Sequence, residues 1–191
     1  MNRAADYINY DTALRKGHEL IKTEKDYLIG FYIILSINLG LRVSDVLRLK
    51  HSDLCNKKEN DVLTIIEKKT GKSRNLTINK HIELSYKDLV ARLKEKNNYH
   101  EDRYVFISQK NKIYSTRSLN RILKRVFKNP QIKLSTNSLR KAFGRRVYEN
   151  NMQSDHSLVL LSEIFCHSSV SVTRRYLGLR AQEIENIYIS L

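Results

Sequence analysis

The sequence predicts a mainly α-helical domain with a small antiparallel β-hairpin set into it. Three observations carry that prediction. Glycine and proline are scarce, six and one in 191 residues, too few for the dense turns of a β-sandwich or barrel. Apolar residues recur at helical spacing, most clearly at Leu119, Ile122, Leu123, Val126 and Phe127. Residues 62–78 change period, with short β-rich runs on either side of a turn. A single domain over residues 1–191 is expected, since this length is near the domain norm and no linker, repeat or low-complexity tract interrupts it.

The elements follow in order. Residues 11–22 form a first short helix through Leu14, His18 and Ile21. Thr23-Glu24-Lys25-Asp26 reads as a capping box. It opens a helix reaching Leu39 that is apolar on most faces (Tyr27, Leu28, Phe31, Ile34, Leu35), as a buried central helix is. Gly40 ends it as a left-handed cap, and a short helix spans Ser44 to Leu49. Val62–Ile66 and Leu76–Ile78 flank Lys68-Lys69-Thr70-Gly71-Lys72, a hairpin with a basic tip. Residues 82–94 are helical, and Tyr104–Ile107 is a short strand pairing with Ile113-Tyr114. Thr116 to Lys128 is the clearest helix. Leu139, Phe143 and Val147 mark another, capped by Ser135 or Thr136. Ser157–Phe165 and a basic Val170–Leu177 follow. The last helix, from Ala181 to Leu191, gathers Ile184, Ile187, Tyr188 and Leu191 in one stripe, which covers either the domain's own core or a neighbouring protomer.

Charge narrows the partners. Thirty-five Lys and Arg against twenty Asp and Glu leave a formal +15, which favours an acidic polymer, nucleic acid before anionic membrane. Arg117, Arg121, Lys124, Arg125 and Lys128 line the polar face of one helix with no acid among them. A duplex, with one charge per ~1.7 Å, rewards such a row; a solvated face is the alternative. The greasiest run, Phe31–Leu39, is far short of the roughly 18 residues of a membrane span, and the segment from Met1 to Asp6 lacks the apolar core of a signal peptide. Cys55 and Cys166 form neither a disulfide framework nor a metal-ligand spacing, and the six histidines are scattered. A reduced, cytoplasmic protein without metal or other cofactor is expected.

A nucleophile acting on a phosphodiester needs cations around it, because negative charge gathers on the non-bridging oxygens in the transition state. Arg42 follows a Gly-capped helix in Gly40-Leu41-Arg42-Val43-Ser44-Asp45. Arg140 stands early in a helix in Asn137-Ser138-Leu139-Arg140-Lys141. His167 lies nine residues before Tyr176.

Taken together, these pieces resemble the catalytic domain of the tyrosine recombinases, the phage integrase family. The motifs are GLRVSDVLRL around Arg42, KTGK with Lys69, STNSLRKAF around Arg140, and CHSSVSVTRRYLG from Cys166 to Gly178. They stand in the family's order over residues 40–178. The resemblance implies the DNA breaking-rejoining fold and an enzyme that cleaves and rejoins double-stranded DNA through a 3′-phosphotyrosyl link. Arg42 and Arg140 would clamp the scissile phosphate, a bidentate task that Lys cannot imitate. Lys69 would protonate the leaving 5′ oxygen; Lys68 and Lys72 are its near rivals, and a plain phosphate contact is the other reading. His167 would hydrogen-bond a non-bridging oxygen, and Tyr176 would be the nucleophile. Asp45 would buttress Arg42, or be an ordinary acid of a first helical turn.

Three departures stand out. Asn137 occupies a position where the family usually has His, and an amide can orient but cannot take a proton. Asn137 therefore serves by orienting, or the protein is slow or degenerate. Cys166 stands where Gly is common. About 40 residues precede Arg42, so the family's N-terminal clamp domain is expected to be missing, in a natural short form or a fragment. A protein largely monomeric in solution, assembling on paired DNA sites with other protomers, is expected. The rival functions are a catalytically impaired DNA-binding protein with the recombinase fold, a topoisomerase-like relaxing enzyme, and a generic basic RNA-binding domain.

Overall fold

The most apolar segment of the chain becomes its central helix. In the computed structural model, which describes residues 5–191 with the side chains of residues 180–183 left aside, α2 (Tyr27–Leu39) is buried on every face from residue 29 to 37. Residues 1–4, part of the segment read above for a signal peptide, lie outside the described residues. α1 (Tyr10–Ile21) packs along α2 where two glycines meet. A Cβ on Gly30 would lie 2.6 Å from the Gly17 carbonyl oxygen. Gly40 ends α2 with φ 58°, returning its amide to the Ser36 carbonyl, as the left-handed cap predicts.

The start of α2 differs from expectation. The Thr23 hydroxyl donates to the Leu20 carbonyl at 2.8 Å and accepts the Asp26 amide at 3.1 Å. It therefore closes the turn that ends α1, and α2 begins only after Asp26.

The short helices α3 (Val43–Val46) and α4 (His51–Leu54) lead into β1 (Val62–Ile66) and β2 (Ser73–Thr77), an antiparallel pair in the register Val62 to Thr77 through Ile66 to Ser73. α5 (Lys80–Glu95), α6 (Thr116–Phe127), α7 (Thr136–Asn150), α8 (Asp155–Phe165), α9 (Val170–Leu177) and α10 (Leu179–Ile189) complete the order. Residues 104–107 do not make the expected strand. They form single bridges, Lys50 with Tyr104 and Ile107 with Ile113. Phe106 is instead drawn into the helical core, its ring centroid 6.0 Å from Phe31 and 5.6 Å from Tyr32.

Two hydrophobic clusters result. The larger joins α1, α2, the hairpin, α5 and α6, and the smaller holds Tyr148, Leu158, Leu161, Phe165, Leu177 and Leu179. α7 contributes to both, through Leu139 and Ala142 on one side and Tyr148 on the other. No helix among the described residues is long and apolar enough to cross a membrane, and no group of three or more His, Cys, Asp or Glu among them is placed to hold a metal ion.

Candidate active site

Local folding brings the two arginines to one oxygen. Arg42 leaves the Gly40 cap in an extended conformation and becomes the N-cap of α3. Its Nη2 donates to the Phe165 carbonyl at 2.9 Å, and its Nη1 to Glu67 Oε2 at 2.9 Å. Arg140, on α7 and only 5% exposed, reaches the same carbonyl through Nη2 at 3.3 Å. Its guanidinium carbon lies 4.7 Å from the centre of the Phe165 ring, and its Nε is buried without a hydrogen-bond partner. Burial pushes Arg140 down to about 10, which leaves it a cation at neutral pH.

The Phe165 carbonyl is aimed by the residue after it. Cys166 caps α8 in the left-handed region, φ 51°, which explains the usual glycine there: glycine adopts that conformation without strain. His167 follows, with Nδ1 2.9 Å from the Thr173 hydroxyl. Thr173 and Tyr176 share α9, so the helix that carries the tyrosine also orients the imidazole. Burial lowers the His167 pKa, and the cations Arg140, Arg42 and Lys69 lower it further. Both effects favour the neutral ring.

Tyr176 packs edge-on against Phe165 and His167, with centroids 5.4 and 5.2 Å away, and Lys141 Nζ lies 5.2 Å from its ring centre. Its hydroxyl is buried with no hydrogen-bond partner. Burial pushes the phenol up to about 12, against the lowering pull of Arg140 and Arg42. Two orphaned polar atoms, Arg140 Nε and Tyr176 Oη, thus belong to one site. Such atoms are rare in folded proteins and ask for a partner.

The hairpin brings the lysines. Lys69 and Lys72 are exposed at its tip. Asp45 does not hold Arg42 as expected; its Oδ1 takes the Lys68 amide at 2.9 Å, so it anchors the hairpin instead. The carboxylate on Arg42 is Glu67, 1% exposed, which also receives Arg74 Nη1 at 3.3 Å. Burial alone would raise the Glu67 pKa, but the Thr70 bond, the charge and bond of Arg42, and Arg74 outweigh it and hold the pKa below the usual range. Sequence reasoning missed Glu67, Arg74 and Phe165. A signal for Glu67 exists: it continues the inward alternation of Leu63 and Ile65 one residue past the end of β1, and an inward carboxylate needs a cation.

Asn137 is exposed on the first turn of α7. The Thr136 amide beside it donates to Asn120 of α6 at 2.8 Å, which ties the basic helix to the same end of the site. Arg117, Arg121 and Lys124 line one shallow depression of about 580 Å³ on α6. Arg125 departs from that row. Its Nη2 is 2.6 Å from Asp26 Oδ1, so the α2 N-cap supplies the acid missing from α6 itself. Lys128 caps α6 in the left-handed region, φ 46°. At the far end, Ile184, Ile187, Tyr188 and Leu191 are 47%, 60%, 75% and 98% exposed, so this stripe does not cover the domain's own core.

A helical domain with a small hairpin, bringing two arginines, a histidine and a tyrosine together, is the architecture of a tyrosine recombinase catalytic domain. The model of the phage integrase family matches residues 10–183. The protein named Probable integrase/recombinase YoeC of Bacillus subtilis (strain 168) is 32% identical over 166 residues, covering 86% of this chain and 83% of that protein. This chain belongs to the phage integrase family. Among solved structures, XerA recombinase has a TM-score of 0.67 at 19% identity, covering all of this chain and 65% of that one. XerH recombinase, bound to its difH substrate after cleavage, has a TM-score of 0.63 at 23% identity, covering 98% of this chain and 53% of that one. The Tn1549 transposon integrase in complex with a circular intermediate DNA has a TM-score of 0.67 at 16% identity, covering 97% and 67%. These three share the fold, and this chain spans about two thirds or less of their length.

Proposed function

We propose that this chain cuts and rejoins double-stranded DNA at specific sites, with Tyr176 as nucleophile and no cofactor. The observation that carries the reading is the meeting of Arg42 and Arg140 on the Phe165 carbonyl, beside two unpartnered atoms, Arg140 Nε and Tyr176 Oη. A carbonyl oxygen engages only part of each guanidinium fork, which leaves N–H groups for the non-bridging oxygens of a phosphate. His167, neutral, donates to one of those oxygens. Tyr176 Oη bonds to phosphorus, the bond from phosphorus to O5′ breaks, and Lys69 gives a proton to O5′. The phenolic proton passes to water, with Asn137 orienting from the α7 terminus. The phosphotyrosyl link keeps the bond energy for rejoining, so no nucleotide is required.

The row Arg117, Arg121, Lys124 and Lys128, with Lys72, supports tracking of the duplex backbone, and the exposed Ile184, Ile187, Tyr188 and Leu191 support docking on a neighbouring protomer on DNA. The free thiols of Cys55 and Cys166 fit a reducing, cytoplasmic setting. The second reading, a binding protein of impaired turnover, is favoured by one observation, the amide at position 137.

The test is incubation with nicked duplexes from the chain's own genomic element, followed by denaturing gels. A covalent adduct that disappears in Tyr176→Phe is the expected result. Salt-sensitive binding without adduct supports the second reading, and an adduct that survives Tyr176→Phe removes the assigned nucleophile. Asn137→His raises the cleavage rate if the amide stands in for a lost base, and leaves or lowers it if the amide is adapted to the site.

A further inference from the structure

The loop from residue 67 to 72 is more tightly organised than a basic hairpin tip requires. Glu67 Oε2 receives three donors at once, Arg42 Nη1 at 2.9 Å, the Thr70 hydroxyl at 3.0 Å and the Cys166 thiol at 3.7 Å. That hydroxyl also accepts the Lys72 amide at 3.3 Å. The Glu67 backbone closes the loop on both sides, its amide donating to the Lys72 carbonyl at 3.0 Å and its carbonyl accepting from Gly71 at 2.9 Å. On the other flank the Lys68 amide is bound to Asp45 Oδ1 at 2.9 Å. Lys69 therefore stands exposed between two residues that are each tied to a carboxylate. One of those carboxylates is the group that holds Arg42.

We propose that Glu67 is a positioning residue that sets the proton donor Lys69 and the phosphate clamp Arg42 in one frame, with the Thr70 hydroxyl as the link to the lysine. The proposal rests on the reading of Lys69 as proton donor. Proton transfer to a leaving oxygen needs the donor within hydrogen-bond reach at the moment the bond breaks. A free hairpin tip would meet that condition in few of its conformations. With the backbone fixed on both flanks, only the lysine side chain is left to search. Because the same oxygen fixes Arg42, the donor arrives in register with the phosphate that Arg42 holds. Arg74 completes the frame, joining Glu67 Oε1 at 3.3 Å to the Leu39 carbonyl at the end of α2, also at 3.3 Å. In the step itself the Tyr176 oxygen bonds to phosphorus and O5′ departs with the Lys69 proton. Lys69 is left neutral, and the proton returns in the reverse attack.

Thr70→Val separates the link from the clamp, since Thr70 is exposed and the bond from Glu67 to Arg42 remains. Single-turnover cleavage is measured on two nicked duplexes, one with the ordinary phosphodiester and one with sulfur in place of the bridging 5′ oxygen. A thiolate leaves without being protonated. Thr70→Val is expected to slow the ordinary substrate on the order of 10- to 100-fold, to leave the sulfur substrate at the wild-type rate, and to be restored by Thr70→Ser. Glu67→Gln is expected to slow both, the ordinary one more. An unchanged ordinary rate in Thr70→Val, or equal slowing of both substrates, overturns the proposal. Lys69→Ala is the control on the parent reading. If the sulfur substrate rescues Lys69→Ala while Thr70→Val cleaves normally, only the link is wrong. If it does not rescue Lys69→Ala, Lys69 is not the donor, and both readings fall.

Discussion

The two halves of the site rest on very different amounts of packing. Arg42 and the lysine hairpin hang from the large core, which runs from Ile8 to Ala142. His167 and Tyr176 hang from the small cluster around Phe165 and Leu177. A densely packed core does not let one helix shift without disturbing its neighbours, whereas a unit with few buried contacts opens at lower cost. The proposed phosphate clamp is thus built on the stiff part of the molecule and the proposed nucleophile on the yielding part. What joins them are α7, the Phe165 carbonyl and the Cys166 thiol, which donates to Glu67 Oε2 at 3.7 Å.

The junction is where the largest effect is expected. Arg140→Lys keeps the charge but cannot serve both the Phe165 carbonyl and a phosphate from one planar fork. Adduct formation should fall roughly 10²- to 10³-fold, the usual loss on removing a preorganised donor, with DNA affinity reduced far less. A loss under about tenfold would mean that the junction is not part of the clamp.

Acid should act most strongly on the large core. His51 is buried, its Nδ1 3.0 Å from the Tyr86 hydroxyl, and burial, helped by the Arg103 charge, pushes its pKa down to about 4. The unfolded chain takes up that proton near ~6.5, so between these values the unfolded state binds more protons. Stability is therefore complete above that window and lost as pH falls through it, by on the order of 3 kcal/mol at its lower end. Urea unfolding at pH 7, 5 and 4 should follow this course, and His51→Gln should flatten it. A slope unchanged in the variant would assign the acid sensitivity elsewhere.

Two glycines sharpen the comparison within one kind of substitution. A Cβ at Gly30 would meet backbone, Ile21 N at 2.5 Å and the Gly17 oxygen at 2.6 Å. A Cβ at Gly144 would meet Leu177 Cδ2 at 2.7 Å and the Phe165 ring at 2.9 Å. Backbone cannot give way, so Gly30→Ala should cost about 2–3 kcal/mol of stability. Gly144→Ala should cost nearer 1 kcal/mol, yet it presses on α9 and should slow cleavage about tenfold. Thermal unfolding and single-turnover rates at a permissive temperature should rank the two variants in opposite order.

The large core was far more legible in sequence than the junction. The apolar run of α2, the Gly40 cap and the stripe of α6 depend on local spacing, and each stands where spacing puts it. Residues 104–107 read as a strand because Val105 and Phe106 are strand-type residues, yet the helical core claims Phe106 and only single bridges form. The motifs around Arg42, Arg140 and Tyr176 mark the candidate site residues through resemblance. Their meeting point did not show, because it is a main-chain oxygen on Phe165, which any residue type supplies. The sequence points to Asp45 rather than Glu67 as the partner of Arg42 for a related reason. Asp45 is near Arg42 in sequence, whereas Glu67 reaches it only once the hairpin folds back.

The smallest effect tests whether the same division holds on the basic surface of α6. Arg125 is tied to the N-cap of the central helix through Asp26, while Arg121 lies in the depression shared with Arg117 and Lys124. Such a partly exposed pair contributes under ~1 kcal/mol to stability, but it neutralises a charge that a phosphate would otherwise meet. If the row tracks a duplex, Arg121→Gln should lower the slope of log affinity against log salt by about one. Arg125→Gln should lower it less, and Asp26→Asn should raise it by freeing Arg125. Equal losses for the two arginines would mean that Arg125 leaves Asp26 when DNA arrives, so that the stiff body too rearranges at its surface on binding.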